Sequence, residues 1–222
     1  PPMNASQIAL IALAAVGAVN VAANLDQERC RWLVYVTKPL LMPLLVVHYL
    51  AGTGSPSALV VAALVFGWLG DVFLMLPWGG EKMFMAGLGS FLVNQILYVV
   101  VFAMSIGPLS GGVFWLAVPA SLFLVYGVVM YRVIEKGLGK MKGAVIVYMT
   151  AILAMGVTAL LRRAGHADAG FWLVLAGAAS FIVSDSILAF DRFRRNLRFG
   201  QSLVMLTYVA GQALIVHGLL AA

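Results

Sequence analysis

The sequence predicts an all-α fold, a polytopic transmembrane helical bundle of eight spans with both termini on the non-cytoplasmic side. Three observations carry that expectation. Of 222 residues, 63% are hydrophobic and only 10% charged, with a mean hydropathy of +1.03, whereas soluble domains run to about 25% charged. The apolar residues fall in runs of roughly 20, the length a helix needs to cross a bilayer core. Four of the five tryptophans (Trp32, Trp78, Trp115 and Trp172) stand at the ends of those runs, where an interfacial aromatic belt belongs. The chain therefore reads as a single transmembrane domain over 1–222, with connections too short for a soluble domain.

Gly, Pro and charge clusters separate the spans. Span one, 6–24, has no basic stretch before it and is longer than the apolar region of a cleaved signal, so it reads as a membrane helix. Span two, 32–51, carries Lys38 at the head of "KPLLMP", where prolines at 39 and 43 free backbone carbonyls and predict a bend. Span three, 57–76, opens on "ALVVAALVF" (58–66), without a polar side chain, and then places Asp71 inside "GWLGDVFLML" (67–76). Span four, 83–106, contributes Asn94, Gln95 and Tyr98. Spans five, 112–134, and six, 141–162, are joined by a loop with Lys136 and Lys140. Span seven, 169–190, holds Asp185 in "SFIVSDSILAF" (180–190), and span eight, 200–220, adds Thr207, Tyr208 and Gln212.

Eleven of the 14 Lys and Arg residues flank loops 1–2, 3–4, 5–6 and 7–8, while the other side has only Arg162 and Arg163. The positive-inside rule places those four loops in the cytoplasm. Spans three and seven then run in the same direction, with Asp71 and Asp185 both in their inner halves. Lys38 starts near the same surface. Polar groups from five helices thus converge on one expected pocket, open towards the cytoplasmic leaflet. A short echo, "GDVFL" (70–74) against "SDSIL" (184–188), falls on the third span of each four-span half and fits a parallel duplication, which tends to put its site at the repeat interface.

A carboxylate at helix centre costs about 2.5–3.5 kcal/mol on insertion scales, so it must be paired, neutralised or used. Two at one depth can serve as acid and base, one holding a proton while the other is ionised. The bland alternative is that each aspartate ties helices together through hydrogen bonds to Ser184, Tyr98 or Gln212. Asp191 sits at the inner interface beside Arg192, and pairing with that basic loop is its expected role, with help to the site as the other option. Lys38 either pairs with a buried Asp, receives a phosphate, or snorkels to the interface. Arg192, with Arg194, Arg195 and Arg198, faces anionic headgroups by default and binds a substrate headgroup in the alternative reading.

Other chemistries find little support. The net charge of +6 lies in short loops, not in an aromatic-interleaved stripe, so nucleic acid is not an expected partner. His48, His166 and His217 lack ligand spacing and lie away from the aspartates, and Cys30 is alone, so neither a metal site nor a disulfide is expected. No Gly-x-Ser-x-Gly elbow supports a serine lipase. At this level two classes remain: an enzyme acting on a membrane lipid, or a proton-coupled transporter using the same acids.

The motifs "KPLLMP" (38–43), "GDVFLM" (70–75), "GLGSFLVNQILYVVVF" (87–102), "GAASFIVSDSILAFDRF" (177–193) and "TYVAGQALI" (207–215) follow one another over nearly the whole chain. In that order they resemble the lysoplasmalogenase-like YhhN family. Gln95 is a departure, standing where many members carry His. The resemblance implies a multispanning membrane hydrolase that cleaves the vinyl ether bond of lysoplasmalogens, giving a fatty aldehyde and glycerophosphocholine or glycerophosphoethanolamine. It implies no cofactor. It assigns the catalytic role to Asp71 and Asp185. From their places in the spans, Lys38, Asn94, Gln95, Tyr98, Ser184, Asp191, Arg192, Tyr208 and Gln212 are the expected binding or supporting residues around them. The partners implied are the lysophospholipid substrate and membrane lipid, in the inner membrane of a bacterium or the endoplasmic reticulum of a eukaryote. An inactive, lipid-binding relative is the remaining alternative.

Overall fold

The computed structural model describes residues 3–76, 80–107, 114–164 and 168–221. Eight long helices account for most of them: α1 (Ala5–Ala23), α2 (Gln27–Gly52), α3 (Ala58–Met75), α4 (Gly80–Met104), α5 (Phe114–Ile134), α6 (Lys142–Leu161), α7 (Ala169–Phe193) and α8 (Gly200–Leu220). Each coincides with an expected span to within a few residues. Seven are long and apolar enough to cross a membrane. The eighth, α5, has 21 residues and includes side chains outside the described set. The protein is an integral membrane protein.

Polar residues at the helix starts explain where several begin. Asn4 and Gln7 form a reciprocal capping box at α1, with Gln7 N–H donating to Asn4 Oδ1 at 2.8 Å. Asp26 accepts from Arg29 N–H at 3.3 Å to open α2, and Asp168 accepts from Phe171 N–H at 2.9 Å to open α7. Trp32 and Trp172 are exposed at helix ends, as a belt requires. Trp78 and His166 lie outside the described residues, as does the side chain of Trp115.

Consecutive helices pack as hairpins, α1 on α2, α3 on α4 and α7 on α8, and α8 also contacts α1 and α2. Lipid offers no hydrophobic drive for helix association, so close approach depends on small residues. A Cβ added to Gly177 would lie 2.7 Å from the Gly211 carbonyl oxygen, and one on Gly211 would lie 3.0 Å from that of Gly177. The α7–α8 backbones therefore touch there. Helix α5 lies at the periphery against α6 and α7, and its Leu122, Leu124, Val125, Val128 and Val129 are exposed to the surroundings.

The expected bend at the prolines of α2 is not where the backbone departs from helical dihedrals; that occurs at Cys30, with φ −106° and ψ 15°. Pro43 still leaves the Pro39 carbonyl without its helical donor. Trp68 of α3 fills that role, its Nε1–H donating to Pro39 O at 2.9 Å. The one deep tryptophan thus serves as a cross-link between α2 and α3. Trp68→Phe should lower stability by about 1 kcal/mol, measurable by thermal unfolding in detergent, with the fold retained.

Candidate active site

The aspartates of α3 and α7 line one cavity of about 540 Å³ at the basic end of the bundle. Lys38 of α2, Ser184, Asp191 and Arg192 of α7 and Tyr208 of α8 share its wall, and Arg194 and Arg195 complete it. Seven helix-borne residues singled out from sequence are therefore brought together. A second polar space of about 820 Å³ adjoins it through Lys38, Asp191 and Gln201, and carries Glu28, Arg31 and Arg198.

Asp71 is buried, and Lys38 Nζ lies 3.5 Å from its Oδ1, with side-chain exposures of 12% for the lysine and 3% for the aspartate. Those exposures decide between pairing and snorkelling: Lys38 turns inward and forms a buried ion pair. The Tyr208 hydroxyl interacts with the same carboxylate, although neither Asp71 Oδ2 nor the phenol oxygen makes a well-formed hydrogen bond among the described residues. Both retain hydrogen-bonding capacity for a polar ligand.

Asp185 is held differently. Its Oδ2 accepts from the Tyr148 hydroxyl of α6 and from Gln95 Nε2 of α4, the latter at 3.1 Å. No lysine or arginine forms an ion pair with it among the described residues. Tyr148 was not singled out from sequence. Its signal was depth, a phenol near the basic end of span six at the level of Asp185.

Gly67, one helical turn before Asp71, was also passed over. A Cβ there would lie 3.2 Å from the Tyr208 hydroxyl and 3.4 Å from both Asn94 Nδ2 and Gln212 Nε2. Its missing side chain lets polar groups of α4 and α8 close on α3.

The hydrogen bonds of the other candidates, including those on the cavity wall, support the bundle and do not reach the aspartates. Asn94 Nδ2 donates to Ala63 O at 2.6 Å, Ser184 Oγ to Val204 O at 2.9 Å, and the Tyr98 hydroxyl to Gln212 Oε1 at 2.6 Å. Neither aspartate is tied to Ser184, Tyr98 or Gln212 by a hydrogen bond as the helix-glue alternative expected; these groups bond to backbone or to each other. Tyr98 and Gln212 are 114 residues apart, the same separation as Asp71 and Asp185. Asp191 does not pair with an arginine side chain. It accepts from Leu197 N–H at 2.6 Å and Gln201 Nε2 at 3.4 Å, fixing the α7–α8 turn, while the Arg192 guanidinium lies over the Phe84 ring at 4.9 Å.

The histidines lie elsewhere. His48 is buried at the far end of α2, with Nδ1 2.8 Å from Ser6 Oγ, and stacks on His217. Among the described residues no three His, Cys, Asp or Glu side chains come together as a metal-binding group.

An apolar cleft between α4, α5, α6 and α7 adjoins the polar cavity. The two share Leu74, Phe84, Phe91, Leu188, Phe193 and, as their single ionisable group, Asp185.

The chain is 33% identical over 165 residues to the lysoplasmalogenase TMEM86A of Bos taurus, covering 72% of this chain and 65% of the relative. It is 28% identical over 193 residues to the lysoplasmalogenase TMEM86B of Homo sapiens, covering 86% of this chain and 77% of that one. The chain thus spans less than two thirds of the length of the TMEM86A relative. No solved structure matches it. The YhhN family pattern matches residues 33–219, from α2 to the end of α8, and the chain belongs to the YhhN family.

Proposed function

We propose that the protein is a lysoplasmalogen hydrolase that cleaves the vinyl ether bond with Asp185 as proton donor and Asp71 as the ionised partner. The observation that carries this reading is the position of Asp185, the ionisable group common to the polar cavity and the apolar cleft. In a lysoplasmalogen the vinyl ether is where the polar headgroup portion ends and the hydrocarbon begins. An amphiphile lying across the two spaces sets that bond at Asp185.

The two carboxyls differ in a way that separates their tasks. The Lys38 ammonium favours charge on Asp71. Asp185 has no such cation, and two donors converge on its Oδ2, leaving Oδ1 to carry the proton. Asp185 gives that proton to the alkene carbon remote from the ether oxygen, and the electron pair of the double bond forms the new C–H bond. The cation left behind is an oxocarbenium ion, stabilised by the Asp71 carboxylate. Glycosidases meet a comparable cation with two carboxyl groups. Water adds to the carbon bonded to oxygen and passes a proton to a carboxylate, giving a hemiacetal. The hemiacetal breaks its C–O bond to the glycerol, whose oxygen takes up the hydroxyl proton, and aldehyde and glycerophosphodiester result. Arg192, Arg194 and Arg195 on the cavity wall suit the phosphate.

A proton-coupled transporter needs a polar route to both faces. Beyond the aspartates the fully buried Leu64, Phe102, Met155, Val174 and Ile215 pack around Asn94, Tyr98 and Gln212, and this close packing favours the hydrolase. Purified protein should release aldehyde from a vinyl ether lysolipid but not from its saturated alkyl ether analogue, and do so in the presence of a chelator. Proton-linked flux in liposomes without aldehyde would overturn the proposal. Tyr148→Phe should lower kcat by about 10- to 100-fold, the worth of one hydrogen bond to an ionisable group, with KM little changed in steady-state assays.

A further inference from the structure

We propose that the second polar space is a headgroup subsite in which Glu28 selects lysolipids ending in a primary ammonium over those ending in a trimethylammonium. The proposal deepens the hydrolase reading and rests on it for the bond that is cut. The space, about 820 Å³, lies between α2 and the α7–α8 turn and adjoins the reaction cavity through Lys38, Asp191 and Gln201. Glu28, Arg31, Tyr35 and Lys38 line it at intervals of three, four and three residues, so α2 turns one polar face towards it. From Lys38 beside Asp71, that face reaches Arg31 after roughly 10 Å and Glu28 after roughly 15 Å. A lysolipid headgroup has the same order. Its phosphorus stands about five bonds from the ether oxygen and its nitrogen about nine, roughly 6 and 11 Å when extended. With the ether at the aspartates, the phosphate falls where the two spaces adjoin, between the arginines of each, and the ammonium points towards Glu28.

Two acids line this space, and they differ in what they have left to offer. Asp191 already accepts from Leu197 N–H and Gln201 Nε2. Glu28 has no hydrogen bond or ion pair among the described residues, so its carboxylate is free to receive a cation. Aromatic faces decide the kind of cation. A trimethylammonium has no N–H to donate and is held by open aromatic rings. Tyr35 is the one aromatic side chain lining the space among the described residues, and the Arg31 guanidinium lies over its ring at 5.7 Å. Across in the reaction cavity, Arg192 lies over Phe84 at 4.9 Å in the same way. The chain's own arginines thus take the places a quaternary ammonium would need. A primary ammonium instead carries three N–H donors, and the Glu28 carboxylate and the side-chain carbonyls of Asn196 and Gln201 are acceptors for them.

The test measures binding to the purified full chain in detergent, using alkyl ether lysolipids that lack the vinyl ether and share one hydrocarbon chain. The ethanolamine probe should bind about five- to tenfold more tightly than the choline probe, a factor kept small by the exposure of Glu28. Affinity should fall at each step through the N-methyl and N,N-dimethyl probes, as N–H donors are replaced one by one. In Glu28→Gln the ratio of ethanolamine to choline affinity should shrink to about twofold or less. Equal affinities in the wild type, or tighter binding of the choline probe, would overturn the subsite. A ratio that a folded Glu28→Gln leaves unchanged would overturn it too, since Glu28 would then serve only the start of α2. The methyl series is read on the wild-type chain and stands by itself if the variant does not fold. Because no probe is cleaved, a headgroup preference without aldehyde release from vinyl ether lipid would retain the subsite and remove the hydrolase reading. Aldehyde release with no headgroup preference would do the reverse.

Discussion

Asp185→Asn should abolish aldehyde release, by about 10³-fold or more, while the helical bundle stays folded. An amide has no proton acidic enough to transfer to an alkene carbon, and positioned proton transfer alone is worth about 10²–10⁴ in rate. Shape is preserved, and the Asn carbonyl still accepts from Tyr148 in place of Oδ2. Asp71→Asn should cost a similar factor for a different reason. It removes the negative charge that stabilises the oxocarbenium ion and orients water, and leaves Lys38 without its partner. Rates come from aldehyde trapped during steady-state turnover, and folding from helical circular dichroism. Retained turnover in either variant would remove that carboxyl from the mechanism. Substrate affinity should change little in both, because neither group is the headgroup's anchor.

Removing Lys38 should have the second largest effect, on stability. Lys38 and Asp71 form a buried pair, and deleting one member of such a pair leaves an uncompensated charge, at a cost of about 3 kcal/mol. Lys38→Met should therefore lower the unfolding temperature by several degrees as well as the turnover. The double variant Lys38→Met with Asp71→Leu should regain most of the lost stability, because an apolar pair of similar volume substitutes for buried ions with little penalty. Its activity should stay absent. If Lys38 served only to snorkel, Lys38→Met would be neutral for stability and the double variant no better than the single.

Helix positions were legible in the sequence because they depend on run length. Apolar stretches of bilayer thickness separated by Gly, Pro and charge define spans regardless of how those spans pack. Asp71 and Asp185 were legible for a related reason, since an acid in such a run is costly wherever it points. Partners were harder. Lys38 was balanced between pairing and snorkelling because both fit its place in α2, and only the rotation of α2 towards α3 decides. Tyr148 carried no such cost, as phenols are common near interfaces, so its depth in span six was too weak a signal to mark it as a donor to Asp185. Asp191 was expected against arginine, but the turn folds back and offers a backbone N–H first. The α2 bend was placed at the prolines, yet Trp68 supplies the donor missing at Pro39, while Cys30 marks the departure from helical dihedrals. The apolar cleft was invisible because it belongs to four helices, and one chain's hydropathy holds no record of the gap between them.

Running the reaction in D2O and collecting the aldehyde early is the most direct measurement of the central claim. Proton donation by Asp185 to the alkene carbon predicts one deuterium on the carbon next to the carbonyl, read by mass spectrometry, and no such product from Asp185→Asn. Aldehyde that forms without that deuterium would show that the alkene is not protonated, and would contradict acid catalysis by the buried aspartate.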